Sequence, residues 1–530
     1  MGKIAFNYLI LLLILLSTLP LWLTDFPPLQ DYPDWLYQGK IFADFNKPDT
    51  DYHDYFTIKP VLVANSGSTL LIALFMKVFS PIFAGKLMLS FWLIAMPLCY
   101  IYFFRSFGPK GSILELAPLL LLYNIRFYNG NLNFLLSLPL FFFIVGYFKR
   151  RLKSFSLFEI LALMVWLCLL FIFHFMGFCF ALFALAILAI EEYKFDFSKY
   201  LMPLIAAFPS GLLALVYSQF QAGYKGHLES IISFSILSKI KKIINTWAVC
   251  FNFDGDPVSA ITAAKVLVNI AFLVLVFYIA VQIAKALRVK RWRKFTIELV
   301  GLAFVAVALV LPPMFFYITD ADTRLLYVAT FLLLPALGSD KFSIRPRNLY
   351  LFLSIFLILV GINSAQFAFQ GKRYQKTYEK IAGAIPPNSR LLIIMGDFYG
   401  DRIESNVLES TPAKLMTRLV PDIAGLMRIP YYYYVRNDLA YPHVFQTSLF
   451  ESQNYNIPLM IRPYPSPEKI LAGIEHYDFV VVLGRRNPLD FFRKALSEKV
   501  TMETVGDRFL ILKVEKYDAD MPFNWPGKGF

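Results

Sequence analysis

Residues 4–23 read IAFNYLILLLILLSTLPLWL and form the apolar run that decides the fold class. Their length matches the roughly 20 residues that an α-helix needs to cross the hydrocarbon core of a bilayer. Lys3 precedes the run, and no small-residue cleavage site follows it. We therefore expect an uncleaved membrane anchor whose N-terminus lies in the cytoplasm.

The composition of the whole chain supports a membrane protein. Of the 530 residues, 58% are hydrophobic and only 17% are charged, and the mean hydropathy is +0.56. A soluble domain could not bury so much apolar surface. The formal charge of +14 comes from Lys and Arg concentrated in short loops, which is the positive-inside pattern and not a nucleic-acid-binding surface. The four cysteines indicate neither a disulfide framework nor a thiolate metal cluster.

Further apolar runs follow along the chain. They lie near residues 61–80, 87–104, 112–123, 131–148, 157–174, 177–190, 200–217, 261–284, 296–318, 324–338 and 348–367. The basic segments KRRLK, KALRVKRWRK and KFSIRPR separate some of these runs and predict the cytoplasmic side.

The number of crossings depends on one short run. If every run crossed, the polar loop at 24–60 would face the opposite side from the other polar loops. Run 112–123 is too short for a full span and suits a re-entrant or interfacial helix, so we predict that it does not cross. The expected topology has about eleven spans, with the acidic loop 24–60, the long loop 218–260 and the C-terminus outside.

Past residue 370 the sequence changes to that of a soluble domain. The stretches LLIIMG, DFVVVLG and FLILKV predict short buried strands, and amphipathic helical stretches separate them. This alternation predicts a small α/β domain with a partly parallel sheet, and no glycine-rich phosphate loop follows a strand. The predicted fold class is a polytopic α-helical membrane module at 1–369 with an extracytoplasmic α/β domain at 370–530.

The strongest candidate for chemistry is PPLQDYPDW, residues 27–35, directly after the first run. A carboxylate can accept a proton from an attacking hydroxyl, and the prolines restrict the backbone around Asp31 and Asp34. Trp35 and Tyr37 could lie at the headgroup level or stack on a sugar ring. The alternative is a solvated loop whose acids only face water.

A second candidate is TDADTR, residues 319–324, at the start of a late apolar run. Arg324 lies on the predicted outer side, against the positive-inside trend, and an Arg there can bind a phosphate with two hydrogen bonds. Asp320 and Asp322 accompany it. In the alternative reading, Arg324 is an interfacial anchor paired with one of these two acids.

A third candidate is YNIRFYNGNLNF, residues 123–134. Arg126, Asn129, Asn131 and Asn133 crowd the start of an apolar run, which is costly unless these groups are paired or line a wet cavity. His174 lies near the outer end of its own run and could belong to the same site. A lone histidine of this kind is more often a structural residue.

Two further features remain open in the sequence. A divalent metal could bind between Asp31 or Asp34 and His53 or Asp256, although no ligand spacing indicates one. Asp254 and Asp256 in FNFDGDP favour a turn because Gly255 and Pro257 accompany them. The tyrosine run at 431–434 is predicted to be a surface or packing feature of the soluble domain.

Together these stretches resemble the GT-C superfamily of glycosyltransferases that use polyprenyl-phosphate sugars. The matching parts are PPLQDYPDW, NGNLNF, DTRLLYV and the IPPNSRLLII opening of the tail. The groups that the chain resembles include the bacterial dolichyl-phosphate-mannose-protein-mannosyltransferase-like and lipopolysaccharide sugar transferases. The chain lacks the WWDYG-type signature of oligosaccharyltransferases.

The resemblance implies an inverting sugar transfer at the outer face of a bacterial plasma membrane. It assigns the general base to Asp31 first and Asp34 second, and it implies a polyprenyl-phosphate-linked donor with a lipid, glycan or protein acceptor. Whether Asp51 or Asp54 supplies a second acid stays open. A transporter is disfavoured because few charges lie within the apolar runs, and a non-catalytic component of polysaccharide or lipid assembly or export remains the alternative.

Overall fold

A computed structural model gives the architecture of the chain. It describes residues 3–50, 52–58, 63–108, 110–153, 155–221, 281, 296–311, 314–315, 318–319, 321–337, 342–387, 389–395, 430–437, 450–452, 474, 477–483, 489–490, 493–494, 496–497, 500–506 and 509–515. The structure is mostly helical, with a small sheet near the C-terminus. This coarse part of the predicted fold class is confirmed.

The helices follow the apolar runs. They are α1 (Lys3–Trp22), α2 (Tyr32–Asp44), α3 (Tyr52–Tyr55), α4 (Gly67–Met76), α5 (Pro81–Phe107), α6 (Pro118–Leu121), α7 (Ile125–Tyr128), α8 (Leu132–Arg151), α9 (Leu157–Phe173), α10 (Phe175–Tyr193), α11 (Leu201–Gln221), α12 (Thr296–Val310), α13 (Ala321–Leu333), α14 (Pro346–Ala384) and α15 (Tyr431–Asn437). Short 3₁₀ helices cover Ile113–Leu116, Phe197–Tyr200 and Leu334–Leu337.

Within the described residues, six helices are long and apolar enough to cross a membrane. They are Ile4–Trp22, Pro81–Phe107, Leu132–Arg151, Phe175–Tyr193, Phe197–Ser218 and Pro346–Ala384. Their outward faces carry exposed large apolar side chains, such as Leu12 and Leu15 on α1 and Leu357 on α14. Such faces are stable when hydrocarbon, and not water, surrounds them.

The helix bundle has an acidic end and a basic end. The acidic end carries the loop after α1, where the Nζ of Lys86, near the start of α5, lies 2.6 Å from Asp25 Oδ1. The basic end carries residues 149–153, where Arg150 Nε donates to Ser106 Oγ at 2.8 Å. Helices α5 and α8 therefore run side by side from the acidic end to the basic end.

Residues 112–128 extend from the basic end of the bundle toward the acidic end, whereas run 112–123 was predicted to be a re-entrant or interfacial helix that does not cross. Ser112 forms a β-bridge with Ser343, just before α14 begins at Pro346. At the other end of the segment, Tyr128 OH donates to Asn363 Oδ1 at 2.6 Å. Asn363 lies about 26 Å along α14 from Pro346, at about 1.5 Å per helical residue.

The helical structure of residues 112–128 is interrupted, so the number of residues in run 112–123 did not indicate how far along the bundle it extends. Separate short helices replace one continuous helix, and Pro118 begins α6. Asn124 Nδ2 donates to the carbonyls of Leu121 and Leu122 at 2.9 and 3.1 Å, which satisfies backbone oxygens that the break leaves free. Irregular backbone at membrane depth is tolerated where protein surrounds it.

Helix α4 is an apolar element that begins and ends at the acidic end. It covers only ten residues of the predicted run 61–80. At its N-terminus Ser68 N donates to Asn133 Oδ1, 2.8 Å away at the start of α8. At its C-terminus the Lys77 ammonium donates to the carbonyl of Ala43 in α2. Helix α4 packs along α2, and the structure has a helix of ten residues where a span over 61–80 was expected.

The C-terminal sheet has the strand order β4-β6-β8-β7, in which β4 and β6 are parallel and the other pairs are antiparallel. Its strands are β4 (Leu391–Met395), β6 (Phe479–Leu483), β7 (Val500–Val505) and β8 (Phe509–Val514). The predicted strands and the partly parallel pairing are confirmed. Alternate residues divide between two cores, since Leu391 and Ile393 join the main core and Leu392 and Ile394 join a separate one.

Short strands elsewhere form two smaller antiparallel pairs. Strand β1 (Phe56–Ile58) pairs with β5 (Phe450–Ser452), and β2 (Met314–Phe315) pairs with β3 (Ile318–Thr319). The first pair joins the acidic loop of the N-terminal part to the C-terminal part of the chain.

Candidate functional site

The acidic stretch, residues 27–35, forms the start of α2 and is buried against the polar turn, residues 124–131, that precedes α8. Asp31 occupies the N-cap position of α2, and Pro33 lies in the first turn, where its missing N–H and fixed φ suit a helix start. Gln30 N donates to the carbonyl of Tyr128 at 2.8 Å. Trp35 Nε1 donates to the carbonyl of Gly130 at 2.8 Å.

Gly130 allows this close approach. Its φ is +71°, in the left-handed region that favours glycine. A Cβ at this position would lie 2.8 Å from Asp31 N and 3.1 Å from Asp31 Cα. The backbone of the acidic stretch therefore rests directly on the backbone of the polar turn.

Both predicted carboxylates are withdrawn from solvent. Asp31 is 5% exposed and Asp34 is fully buried. Gln38 Nε2 donates to Asp34 Oδ2 at 2.8 Å, and Thr69 Oγ1 of α4 donates to Gln38 Oε1 at 3.3 Å. Because a buried carboxylate needs such donors, this relay fixes Asp34 in place. The alternative of a solvated acidic loop does not hold for these two residues.

Arg126 links the polar turn to the start of α13. It is buried, and its Nη2 donates to Thr323 Oγ1. Its Nη1 donates to Asn131 Oδ1 at 3.4 Å. Asn124 reinforces the same junction, because its Nδ2 donates to Tyr327 OH at 3.0 Å and its Oδ1 accepts from Arg126 N at 2.8 Å.

Arg324 lies next to this junction and contacts His174. Its Nη1 is 3.1 Å from His174 Nε2, and its guanidinium lies over the ring of Phe134, 5.2 Å from the centroid. His174 Nδ1 accepts from Gly177 N at 3.2 Å. A neutral imidazole carries one N–H and can accept a hydrogen bond only at its other ring nitrogen. The ring of His174 lies between the first turn of α10, where Gly177 N donates to it, and the guanidinium of Arg324.

The structure thus brings together three of the predicted stretches. Asp31 rests on Gly130, Arg126 of the same turn bonds Thr323, and Arg324 follows Thr323 in the chain. Asp322 is also buried here, and its Oδ1 accepts from Thr323 N at 2.9 Å. Asn129 is half-buried in the turn beside Gly130.

Other predicted residues lie elsewhere or outside the described residues. His53 is exposed on α3, unlike the buried side chains above. Asp320, Asp254 and Asp256 lie outside the described residues. Among the residues that the structure does describe, no three His, Cys, Asp or Glu side chains come together as a metal site would require.

Sequence reasoning missed two contributions to this region. Trp35 was expected at the headgroup level or on a sugar, but it is 1% exposed and bonds Gly130, so its role is to fix the acidic helix. Thr323 was not singled out, although it lies between Asp322 and Arg324 in the sequence. In the structure its hydroxyl accepts a hydrogen bond from Arg126. A glycine in a polar turn before a helix was the available signal for the close backbone contact.

Comparisons of the chain with protein-family models, with curated proteins and with solved structures find no match.

Proposed function

We propose that the protein is a GT-C-type membrane glycosyltransferase of the bacterial cell envelope. It would move a sugar from a polyprenyl-phosphate donor to a lipid, glycan or protein acceptor. The observation that supports this best is the junction in which buried Asp31 rests on the turn that carries Arg126, while Arg126 bonds the residue before Arg324. A carboxylate can act as the general base of such a transfer, and guanidinium groups can bind the phosphate of the donor.

In the proposed reaction, Asp31 is the general base. Its carboxylate takes the proton from the acceptor hydroxyl, whose oxygen attacks the anomeric carbon of the donor sugar. The bond between that carbon and the phosphate oxygen breaks, and the polyprenyl phosphate leaves with the electron pair. Attack opposite the leaving group inverts the anomeric configuration. Asp34, held by Gln38, is the second candidate for the base.

Arg324 and Arg126 would bind the phosphate of the donor. Guanidinium groups match phosphate oxygens with paired, charge-assisted hydrogen bonds. Both side chains lie at the N-terminal end of α13, a 13-residue helix whose first N–H groups also favour an anion. Charge that develops on the leaving phosphate would then be stabilised at the junction whose polar turn contacts Asp31.

The proposed topology places the acidic end and the C-terminal sheet outside the cytoplasm. The basic residues 149–153 and 345–347 lie at the opposite end of the bundle, as the positive-inside rule requires. About eleven spans remain the proposed number, with residues 112–128 crossing and α4 not crossing. The contacts of Ser112 and Tyr128 with opposite ends of the α14 membrane segment support this assignment.

The function is tested by replacing Asp31 in cells. Envelope glycans and lipids are compared between cells that carry the wild type, Asp31→Asn, or no copy of the protein, at matched protein levels. Asp49→Asn is the control, because Asp49 belongs to the same acidic loop but is exposed. We expect Asp31→Asn to lose the same glycosylated product as the deletion, and Asp49→Asn to keep it.

A normal profile with Asp31→Asn, together with an altered profile in the deletion, would contradict catalysis. It would favour the alternative of a non-catalytic component of polysaccharide or lipid assembly.

A further inference from the structure

The tyrosine run that the sequence predicts to be a surface or packing feature is a buried junction. Tyr431, Tyr432, Tyr433 and Tyr434 in α15 are each at most 1% exposed. Four consecutive tyrosines cover every side of a short helix, because successive side chains point about 100° apart. Their rings and hydroxyls therefore contact different parts of the protein.

Two of the hydroxyls attach α15 to the chain around β4. Tyr434 OH donates to the carbonyl of Leu391 at 2.7 Å and accepts from Leu391 N at 2.6 Å. Tyr433 OH donates to the carbonyl of Pro386 at 2.6 Å and accepts from Ser389 N at 3.1 Å. Each hydroxyl thus uses both its donor and its acceptor on backbone groups, which fixes α15 to the first strand of the sheet.

The rings of α15 contact the acidic loop. Tyr37 of α2 packs between Tyr431 and Tyr434, with ring centroids 6.1 and 5.8 Å away. Phe26, just before the acidic stretch, packs on Tyr432 at 4.7 Å in an edge-on arrangement. Aromatic pairs at such distances stabilise a contact beyond the area they bury. Helix α2 therefore meets α15 on a different side from its contact with Gly130.

Arg436 extends this contact to the last long helix. Its guanidinium lies over the rings of Phe26 and Tyr378, with centroids 5.6 and 4.9 Å away. Tyr378 belongs to α14, and Phe26 also packs on it at 5.3 Å. The start of the acidic stretch is thus enclosed by α14 and α15 together.

We propose that α15 is a positioning element that holds α2, and with it Asp31 and Asp34, against the polar turn at Gly130. The C-terminal part of the chain then forms a sheet and also contributes contacts that position Asp31 and Asp34. Tyr434 is the central residue of this element, since its ring contacts Tyr37 while its hydroxyl is fixed to Leu391. The effect of α15 on catalysis rests on the proposed function, whereas its effect on the position of α2 does not.

The test compares amide hydrogen exchange of α2 in full-length variants. Tyr434→Leu removes both the ring contact with Tyr37 and the anchor on Leu391. Tyr433→Leu is the matched control, because it removes an equivalent hydroxyl anchor from the same helix, while the ring contact described for Tyr433 is with Tyr434 and not with α2. Tyr434→Phe keeps the aromatic ring and removes only the hydroxyl, and Tyr37→Leu removes the same contact from the α2 side.

We expect Tyr434→Leu and Tyr37→Leu to accelerate exchange in residues 32–44 by about tenfold through local opening. Tyr433→Leu keeps the ring contact with Tyr37 and should accelerate α2 exchange much less than Tyr434→Leu does, and Tyr434→Phe should restore most of the protection. In a transfer assay, Tyr434→Leu and Tyr37→Leu should lower kcat with little change in the KM for the donor, because the contacts with the donor phosphate remain. Equal exchange of α2 in Tyr434→Leu, Tyr37→Leu and the wild type would overturn the positioning role.

The exchange and transfer results separate the two proposals. Faster exchange of α2 in a protein that transfers no sugar would refute the proposed function and leave the positioning role intact. Unchanged exchange of α2 in these variants, in a protein whose transfer activity needs Asp31, would refute the positioning role and leave the proposed function intact. If Tyr434→Leu does not fold, Tyr37→Leu and Tyr434→Phe still decide between these outcomes.

Discussion

The backbone nitrogen of Asp31 lies 2.8 Å from the point that a β-carbon at Gly130 would occupy. The acidic stretch and the polar turn are therefore one packed unit, although they lie far apart in the sequence. The hydrogen bonds from Gln30 to Tyr128 and from Trp35 to Gly130 lie on either side of this contact.

Gly130→Ala should displace the acidic stretch and reduce transfer. The added methyl group would meet Asp31, and the positive φ would cost roughly 1 kcal/mol in addition. Gly111→Ala is the matched control, because Gly111 has φ +80° but no atom lies within 4 Å of its Cβ position. Both variants should lose some thermal stability, measured in detergent or nanodiscs, and only Gly130→Ala should lose transfer activity. Equal activity in the two variants would show that the contact with Asp31 is unimportant.

Arg324→Lys should weaken the binding of polyprenyl phosphate. Lysine keeps the positive charge but cannot make the paired hydrogen bonds of a guanidinium, and it would lose the contact with His174. We expect affinity to fall by about tenfold, measured by native mass spectrometry or calorimetry, which corresponds to about 1.4 kcal/mol. Arg150→Lys at the basic end is the control and should bind normally. Unchanged affinity in Arg324→Lys would remove Arg324 from the phosphate site.

Cysteine labelling should assign residues 110 and 347 to one side of the membrane and residues 46 and 379 to the other. All four positions are exposed. They lie outside run 61–80 and residues 112–128, and the two topologies differ in which of these two segments crosses the membrane. Single cysteines at these positions, in a background without native cysteines, are treated with a membrane-impermeant reagent. If 110 and 46 react from the same side, residues 112–128 do not cross and run 61–80 does.

Acid should loosen the C-terminal end of α2. Burial alone would raise the pKa of Asp44, but hydrogen bonds from Lys47 and Lys40 outweigh burial and hold this pKa below its ordinary value. A carboxyl with a lowered folded pKa stabilises the protein above its unfolded pKa, and this stabilisation is lost as the pH falls through the folded value. Thermal unfolding between about pH 6 and pH 3 should therefore show a smaller acid-induced loss in Asp44→Asn than in the wild type. An identical pH dependence in both proteins would contradict this role of Asp44.

Much of the helical architecture could be predicted, because the formation of a helix depends mainly on the hydrophobicity of its own consecutive residues. Long apolar runs such as 4–23 and 348–367 became helices, since a continuous helix satisfies its own backbone in any apolar setting. The polar stretches around Asp31, Arg126 and Arg324 stood out because each placed charged or polar groups beside an apolar run. Their burial together follows from the cost of leaving such groups unpaired.

The errors concern features that depend on distant partners. The lengths of runs 61–80 and 112–123 did not indicate how far each segment extends, because the extent of the second depends on hydrogen bonds from Asn124 and Tyr327 to its broken backbone. The burial of Trp35 depends on a carbonyl 95 residues away. The tyrosines of α15 likewise gain their role from Tyr37 and Phe26, which no local pattern around residue 431 reveals.

The most direct test of the proposed site is a cryo-electron-microscopy structure of the full-length protein in nanodiscs with a polyprenyl phosphate. We expect the phosphate to lie within hydrogen-bond distance of the guanidinium of Arg324, beside Arg126, with the sugar-facing side of the phosphate directed toward Asp31. Density for the phosphate at the C-terminal sheet, or at the basic end of the bundle, would contradict the proposed glycosyl transfer site.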